Sequence, residues 1–254
     1  MLNKFFFLFI GLYFLGNTQA QDSTYTFDKQ MSRFRPGFMW FNTGFRPASS
    51  TESVRKYDRL MLGIHSSQWT GDVSAFKNHW SSLGFHGQWT NELRFFKSKY
   101  LRLAFGIGYE RLHMRFDAVL NRDFVNQSTD YVPVDFQNTA ITKSTFNLNQ
   151  IFIPVELRFR TKGWKHVKFH LGGRLGWQFG GKTTIDQKLS NSDLTVQTVT
   201  RGFYDLKPFQ PSAIFRAGIR NWAIEATYQF NPVFEQSKSA QVNIFTLGLT
   251  LSLF

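Results

Sequence analysis

The sequence predicts an all-β protein, an antiparallel up-and-down transmembrane β-barrel of eight strands. Three observations carry this prediction: a hydrophobic period of two that recurs along the chain, a strict alternation of short and long connections, and an export segment at the N-terminus. Such segments of alternating hydrophobicity, separated by turns, are typical of membrane-spanning barrels. Ten strands are the alternative count, because residues 37–45 and 193–204 also have strand-like patterns.

The longest alternating segment covers residues 166–179. Large apolar side chains occupy positions 167, 169, 171, 175, 177 and 179, whereas the intervening positions are mostly polar residues or glycine. Strands of soluble proteins usually have about 3–10 residues, and a membrane-crossing strand needs about 9–11 plus its ends. The same pattern predicts strands at residues 59–69, 80–96, 100–116, 145–160, 166–181, 209–220, 222–231 and 241–254.

Two positions interrupt the alternation. After Tyr109 the apolar phase changes, since Leu112, Met114 and Phe116 fall on the positions that were polar before. A β-bulge near Glu110 or Arg111 would explain this change, because a bulge adds one residue to one strand. Pro154 lies inside a predicted strand and cannot donate to the ladder, so we expect a bulge or local irregularity there.

The connections between the predicted strands alternate in length. Short turns at 97–99, 161–165 and 220–221 separate longer connections at 71–79, 117–144, 182–208 and 232–240. Outer-membrane barrels have short periplasmic turns and long external loops. If the first strand runs outward from the periplasm, all four long connections lie outside and the C-terminus returns to the periplasm.

The N-terminus has the three parts of a secretory signal peptide. Lys4 precedes an apolar run over residues 5–15, and small or polar residues lead to Ala20. We predict a cleaved signal peptide over 1–20, a periplasmic lead-in segment over 21–57 and the barrel over 58–254. The sequence contains no Cys, which excludes a disulfide framework and a cysteine-linked lipid anchor.

The chain is strongly basic. Its formal net charge is +13, and loss of residues 1–20 removes Lys4 and no acid, which leaves 29 basic and 17 acidic side chains, or +12. An exported basic protein meets anionic lipid and lipopolysaccharide phosphates, whereas its location argues against nucleic acid as a partner. We interpret most of the charges as residues of solvated loops and of a polar lumen.

The two faces of the predicted strands differ in composition. One face carries Leu, Ile, Phe and Trp with hardly a charge, as a lipid-facing band requires, and the other carries Glu, Arg and Gly. An eight-stranded lumen is narrow enough for side chains to fill it, so these charges are expected to pair inside. The predicted structural lumen network consists of Glu92, Arg94, Arg102, Glu110, Glu156, Arg158, Arg174, Arg216 and Glu225. Aromatic residues near strand ends predict interface girdles, at Trp69, Trp80, Tyr100, Trp164 and Trp222.

Two segments carry a family resemblance. Residues 146–160 (FNLNQIFIPVELRFR) and 169–182 (FHLGGRLGWQFGGK) resemble small outer-membrane barrels of Bacteroidota, the PorT-like or "outer membrane protein beta-barrel domain" group, and residues 214–254 are similar. The resemblance covers residues 59–254 and implies an outer-membrane location. Because PorT-like members include a component of the type IX secretion system, it also implies a secretion-system accessory role as one option.

No enzyme site is evident. Ser82, His86 and Glu92 share one face and come nearest to a catalytic triad, but any polar lumen contains such residues. The sequence has no HExxH motif and no metal-binding cluster, so we expect no catalytic residue, metal or cofactor. An enzyme that acts on lipid from the lumen or loops therefore lacks a suitable constellation.

Three functions remain from the sequence. The first is a structural or interaction protein that binds a partner through loops 117–144 and 182–208 or through residues 21–57. The second is a narrow pore or small-solute transporter. The third is a soluble secreted lipocalin-like carrier, in which the apolar face of each strand points inward.

Overall fold

The computed structural model describes residues 58–71, 77–93, 100–123, 125–134, 140–161, 167–189, 194–235 and 239–253. The predicted signal peptide and lead-in segment lie outside these residues. No helix among them is long and apolar enough to cross a membrane. The described part contains the strands β1 (Leu60–Gly71), β2 (Leu83–Leu93), β3 (Leu101–Arg115), β4 (Ala118–Asp123), β5 (Ser128–Pro133), β6 (Ile141–Arg160), β7 (Val167–Lys188), β8 (Thr195–Arg201), β9 (Phe209–Ile219), β10 (Trp222–Gln229) and β11 (Val242–Ser252).

Eight of these strands close into a ring. The order is β1-β2-β3-β6-β7-β9-β10-β11, every pair is antiparallel, and β11 returns to β1 with Ser252 opposite Met61. The prediction of an eight-stranded barrel is confirmed. Residues 195–201 do form a strand, β8. It pairs with the part of β7 that extends beyond the ring, so it is not a strand of the barrel. The other candidate strand, 37–45, lies outside the described residues.

The connections divide the barrel into two ends. The short-turn end carries the β2–β3, β6–β7 and β9–β10 connections, and the long-loop end carries the β1–β2, β3–β6, β7–β9 and β10–β11 connections. Parts of the long connections are themselves β-structure. The β4–β5 hairpin lies between β3 and β6, and the β6–β7 pairing continues beyond the ring to Ile141 opposite Gln187. The predicted strands 145–160 and 166–181 were therefore too short at the long-loop end.

The apolar face of the strands points outward. Ile64, Leu171 and Ile224 are about three-fifths exposed, whereas Arg158 and Arg216 on the alternate positions are fully buried. This orientation suits a barrel surrounded by lipid, in which lipid-facing and lumen-facing residues alternate. It is opposite to the orientation that a lipocalin-like carrier needs.

The predicted bulge near Glu110 or Arg111 is wrong. β3 keeps one register with β2 and with β6 through these residues, and Glu110, Leu112 and Met114 all point into the lumen. The apolar phase changes because the contents of the lumen change at this height. At Pro154 the β3–β6 pairing is interrupted between the pairs Phe105–Val155 and Gly108–Phe152, without a shift in register.

The aromatic residues predicted for the girdles occupy different places. Trp80 and Tyr100 are exposed, and Trp222 is half-buried near the short-turn end. Trp69 corrects the prediction, because it is only 2% exposed and lies inside the barrel. Its position in β1 shares the inward parity of His65 and Ser67, which a lipid-interface residue would not have. Trp164 lies outside the described residues.

Candidate functional site

The lumen contains two regions of different chemistry. The polar lumen, toward the short-turn end, is lined by buried Arg, Glu, His, Gln, Ser and Thr side chains of the ring. The apolar cluster, toward the long-loop end, combines inward-facing strand residues with loop residues. It consists of Trp69, Leu112, Met114, Phe116, Ala118, Leu120, Phe146, Leu148, Phe203, Val233, Phe234, Ala240, Val242 and Ile244.

Arg216 on β9 is the centre of the polar lumen. Its Nη1 lies 2.6 Å from Oε1 of Glu156 on β6, and its Nη2 donates to Oε1 of Gln88 on β2 at 2.7 Å. Its Nε donates to Glu225 on the neighbouring strand β10. One guanidinium therefore joins four strands. Hydrogen bonds between charged groups are strong, and leaving either partner buried alone would be costly.

Arg158 forms a second centre nearer the short-turn end. Its Nη2 lies 2.8 Å from Oε2 of Glu156, and its Nη1 lies 2.9 Å from Oε1 of Glu92. The Nη2 of Arg160 contacts the same oxygen of Glu92 at 3.1 Å. Glu156 thus accepts from both Arg158 and Arg216, which connects the two centres. Each buried charge in this part of the lumen faces an opposite charge.

Asp58, which precedes β1 in the sequence, extends this network. Its carboxylate lies 2.7 Å from Nη2 of Arg160 and 3.5 Å from Nζ of Lys168, and its backbone oxygen accepts from Arg158 at 2.9 Å. Burial would raise the pKa of the Asp58 carboxyl, but the positive charges of Lys168 and Arg160 hold it well below its ordinary value. Asp58 therefore remains ionised and compensates the basic residues at the short-turn end.

Glu110 and Arg174 form a separate pair at mid-height. Nη2 of Arg174 lies 2.8 Å from Oε2 of Glu110, and its Nε donates to Ser212 at 3.2 Å. The guanidinium also lies over the ring of Phe152, 4.7 Å from its centroid. This stacking is a cation–π contact in a desolvated place. Phe152 and Arg174 together mark the transition from polar to apolar packing.

The structure brings most of the predicted lumen residues together. Glu92, Glu156, Arg158, Arg216 and Glu225 share one network, and Glu110 pairs with Arg174 apart from it. Arg102 is only half-buried and lies outside the network that the described side chains form, while Arg94 is not among the described residues. The sequence interpretation missed Gln88, Arg160, Lys168 and Asp58.

A signal for three of the missed residues was present. Gln88, Arg160 and Lys168 occupy inward positions of strands that the alternation had already identified. Asp58 had no such signal, because it precedes β1 and belongs to no alternating segment. Its role depends on where the chain enters the barrel.

The candidate triad does not assemble. Ser82 donates to the backbone oxygen of His79 at 2.6 Å near the long-loop end, whereas Glu92 contacts Arg158 near the opposite end. Ten residues of strand separate Ser82 from Glu92, which corresponds to about 33 Å at the usual rise of a β-strand. No hydrolytic arrangement is built from these three residues.

Phe146 is the centre of the apolar cluster. Its ring lies 5.7 Å from Trp69 of β1, 5.4 Å from Phe203 and 6.2 Å from Phe234, measured between ring centroids. Phe203 and Phe234 come from the β7–β9 and β10–β11 connections, so the loops fold inward over the barrel end. Buried aromatic side chains contribute large apolar areas, and the Phe146–Phe203 pair has the edge-to-face arrangement that such rings favour.

Asp205 holds three of the long connections together. Its carboxylate accepts from the backbone and hydroxyl of Thr129 at 2.8 and 2.7 Å and from the hydroxyl of Ser239 at 2.5 Å. Its backbone oxygen accepts from the amide of Glu235 at 2.6 Å. We call the described residues of the β3–β6, β7–β9 and β10–β11 connections the loop cap. The loop cap covers the apolar cluster and closes the long-loop end.

The closed ring, its lipid-facing apolar surface and its filled polar lumen define a small membrane β-barrel of the outer-membrane type. Residues 58–232 match the family described as outer membrane protein beta-barrel domain. The protein belongs to this family, and it is an outer-membrane β-barrel protein. No curated protein matches its sequence.

Several solved structures are similar at low identity. Ail, the attachment invasion locus protein of Yersinia pestis, is 13% identical with a TM-score of 0.34, and the alignment covers 76% of this chain and 93% of Ail. Ail in complex with the heparin analogue sucrose octasulfate is 14% identical with a TM-score of 0.30, and the alignment covers 76% of this chain and 94% of that Ail chain. Neisserial surface protein A is 14% identical with a TM-score of 0.33, covering 76% of this chain and 95% of that protein. With TM-scores this low, these similarities support no conclusion about function.

Proposed function

We propose that this protein is a non-conducting outer-membrane barrel that binds a partner protein through its loop cap. The observation that carries the proposal is the apolar cluster beneath the cap. Phe146, Leu148 and Phe234 are fully buried there and occupy the space through which a solute would have to pass. A lumen filled in this way supports a structural or interaction role rather than a pore or small-solute transporter.

The exposed side of the loop cap offers a binding surface. β8 is exposed on both faces, with Val196 and Val199 pointing to solvent, and Leu194 and Tyr204 beside it are about two-thirds exposed. Among the described strands, β8 pairs only with β7. An edge strand can accept a further strand from a partner, which provides main-chain hydrogen bonds along its length. We assign the partner surface to this edge, within loop 182–208.

Other parts of the proposal rest on the sequence. The chain carries a cleaved signal peptide over 1–20 and a periplasmic lead-in over 21–57, which is a second candidate surface for a partner. The resemblance to PorT-like barrels of Bacteroidota supports a secretion-system accessory role as one form of this function. Outer-membrane lipid and lipopolysaccharide phosphates surround the barrel, and the positive net charge of the chain favours these contacts. The proposal includes no enzymatic activity.

Cross-linking on intact cells tests the proposed surface. We expect wild-type protein to capture a specific partner and the double variant Val196→Asp/Val199→Asp to lose it, because the added charges oppose strand addition at β8. Val125→Asp is the matched control, since Val125 is 92% exposed and belongs to the β4–β5 turn rather than to β8. Equal loss in both variants, or capture that does not depend on β8, contradicts the assignment.

Conductance separates the proposal from the pore alternative. The purified protein, inserted into a planar lipid bilayer, is expected to give no stable conductance steps. The physical reason is that, among the residues that the structure describes, buried apolar side chains and ion pairs occupy the inside of the barrel where an ion would have to pass. Reproducible single-channel steps from the heat-modifiable, folded form would replace the interaction role by a pore.

A further inference from the structure

We propose that the polar lumen binds one transition-metal dication at His65, His86 and Glu110. These residues come from the neighbouring strands β1, β2 and β3, at mid-height between the ion-pair network and the apolar cluster. The sequence had predicted no metal site. The proposal does not depend on the partner of the loop cap, because all three residues lie inside the barrel.

The backbone register places the two histidines side by side. Gly63–His65 in β1 and Gly84–His86 in β2 have the same Gly-x-His spacing. The antiparallel pairing sets Gly63 opposite His86 and Gly84 opposite His65. A Cβ atom at either glycine would overlap the imidazole opposite it. The two glycines therefore provide the space that both rings occupy in a narrow lumen.

Glu110 completes the cluster from the next strand. It lies directly opposite His86 in the β2–β3 pairing. One ligand atom from each of His65, His86 and Glu110 lies within 4.8 Å of the other two, and Nε2 of His65 is 3.7 Å from Oε1 of Glu110. Ligands about 2.0–2.1 Å from a tetrahedral zinc are about 3.3 Å apart. To bind such an ion, the three ligand atoms would therefore move closer together.

The potential ligand atoms have no other hydrogen-bond partner. Among the residues that the structure describes, both ring nitrogens of His65 and His86, and Oε1 of Glu110, are buried and make no hydrogen bond. The three residues are 3%, 2% and 0% exposed, respectively. Buried polar atoms without a partner are costly, and native proteins rarely retain a group of them. A bound cation would satisfy one nitrogen of each ring and the carboxylate oxygen.

Neighbouring side chains position the cluster. Arg174 donates to Oε2 of Glu110 at 2.8 Å, which leaves Oε1 directed toward the histidines. Hydrogen bonds to the second oxygen of a ligating carboxylate commonly fix its orientation. Oε2 of Glu225 lies 3.3 Å from Nε2 of His86, and it also accepts a hydrogen bond from Thr250 at 2.8 Å. The negative charge of Glu225 offsets the positive charge of Arg174 near the site.

The donor set selects the kind of ion. Two imidazoles and one carboxylate suit zinc and similar first-row dications, whereas magnesium and calcium prefer sites built from oxygen atoms. A zinc ion would join β1, β2 and β3 at the height where the ion-pair network ends. Because the loop cap closes the long-loop end, we expect the metal to bind before the barrel is complete and to exchange slowly afterwards.

Zinc content tests the site. Full-length, tag-free protein is isolated in detergent from outer membranes of cells grown with zinc, rinsed briefly with EDTA, and analysed for metal by mass spectrometry. We expect about one zinc per wild-type chain, and a loss of about tenfold or more in His65→Gln and Glu110→Gln. His170→Gln is the matched control and should keep its zinc, since His170 is an equally buried lumen histidine 3.6 Å from Asp58, outside the cluster.

A spectrum keeps the test independent of how the variants fold. Heat-dependent gel mobility identifies the folded form of each protein, and cobalt added during refolding of the wild type should give the visible absorption bands of a tetrahedral site. Folded wild-type protein that contains no zinc and gives no such bands overturns the proposal. Loss of zinc from His170→Gln as large as from His65→Gln would overturn it as well.

Discussion

The two regions of the lumen are enclosed by the same eight strands, but they fill the space differently. In the polar lumen, Arg216 and Arg158 contact carboxylates that the ring strands β2, β6 and β10 supply. In the apolar cluster, Phe146 contacts Phe203 and Phe234, which the loops supply. The comparison shows that the ring strands supply most of the charges of the polar lumen, whereas the apolar cluster includes residues of the connections.

This difference has an energetic consequence. A buried ion pair is stable only while both partners remain, so the polar lumen depends strongly on individual residues. An apolar cluster loses stability in proportion to the volume removed and can relax partly around a cavity. The polar lumen therefore specifies which strands lie opposite each other, and the apolar cluster holds the loop cap in place.

Removal of one charge from the polar lumen should have the largest effect. Arg216→Met leaves Glu156 and Glu225 buried with less compensation, and we expect the free energy of unfolding to fall by about 3–5 kcal/mol. Urea unfolding of the refolded barrel in detergent, followed by tryptophan fluorescence, measures it. Adding Glu225→Gln to Arg216→Met should recover part of the loss. Arg102→Met, outside the network, is the control, and a loss there equal to that of Arg216→Met would contradict the assigned difference.

A cavity in the apolar cluster should have the next largest effect. Leu112 is fully buried, and Leu112→Ala is expected to lower the free energy of unfolding by about 2–5 kcal/mol. The same urea titration applies, and the result should depend little on salt because the cluster holds no charge. Leu171→Ala on the outer face is the matched variant. If both leucines cost the same, the cluster is not packed as a core.

Loss of the carboxylate in the loop cap should affect the cap more than the barrel. Asp205→Ala removes the acceptor of Thr129 and Ser239, and we expect a local loss of about 1.5–3 kcal/mol. Limited proteolysis of the folded protein should then cleave the long connections faster, while heat-dependent gel mobility stays unchanged. Asp130→Ala, at an exposed position of β5, should be cleaved by the protease at the same rate as wild type. A collapse of the barrel itself would show that cap and ring form one cooperative unit.

Acidification should destabilise the polar lumen, and we expect the effect of Asp58 to be the smallest of the four effects predicted here. The pKa of Asp58 is lowered in the folded protein, so its contribution is present above the unfolded value of about 3.9 and is lost as the pH falls through the folded value. The temperature at which half of the wild-type protein loses its folded gel mobility should decrease as the pH is lowered from about 5 to about 1, and the decrease should be smaller for Asp58→Asn. An identical acid response in both proteins would contradict the role of Asp58.

Several features could be predicted from local sequence. Alternation identified the strands of the ring and the face that points to lipid, because the side chains of a strand alternate strictly between two surfaces. It also placed Glu156, Arg158, Arg174 and Arg216 on the inward face. The alternation of short and long connections was sufficient to predict eight antiparallel strands, since neighbouring strands of an up-and-down barrel are joined in order.

The contents of the lumen near the long-loop end could not be predicted in this way. Leu112 and Met114 looked like a bulge because apolar residues were expected to face lipid, and Trp69 looked like an interface residue for the same reason. Both expectations assumed one lumen chemistry along the whole barrel. The structure shows that the loops fold inward, so apolar residues also occur on the inner face at this height.

The sequence by itself determined the class of fold, the alternation of polar and apolar faces along most of the ring strands and the residue types available to the lumen. Only the tertiary structure decided which of them meet. Arg216 and Glu156 are 60 residues apart, and Arg216 and Gln88 are 128 apart. Their contact depends on the stagger of the strands and on the closure of β11 against β1, which no local pattern records. The same register brings the two Gly-x-His segments together and places Glu110 beside them.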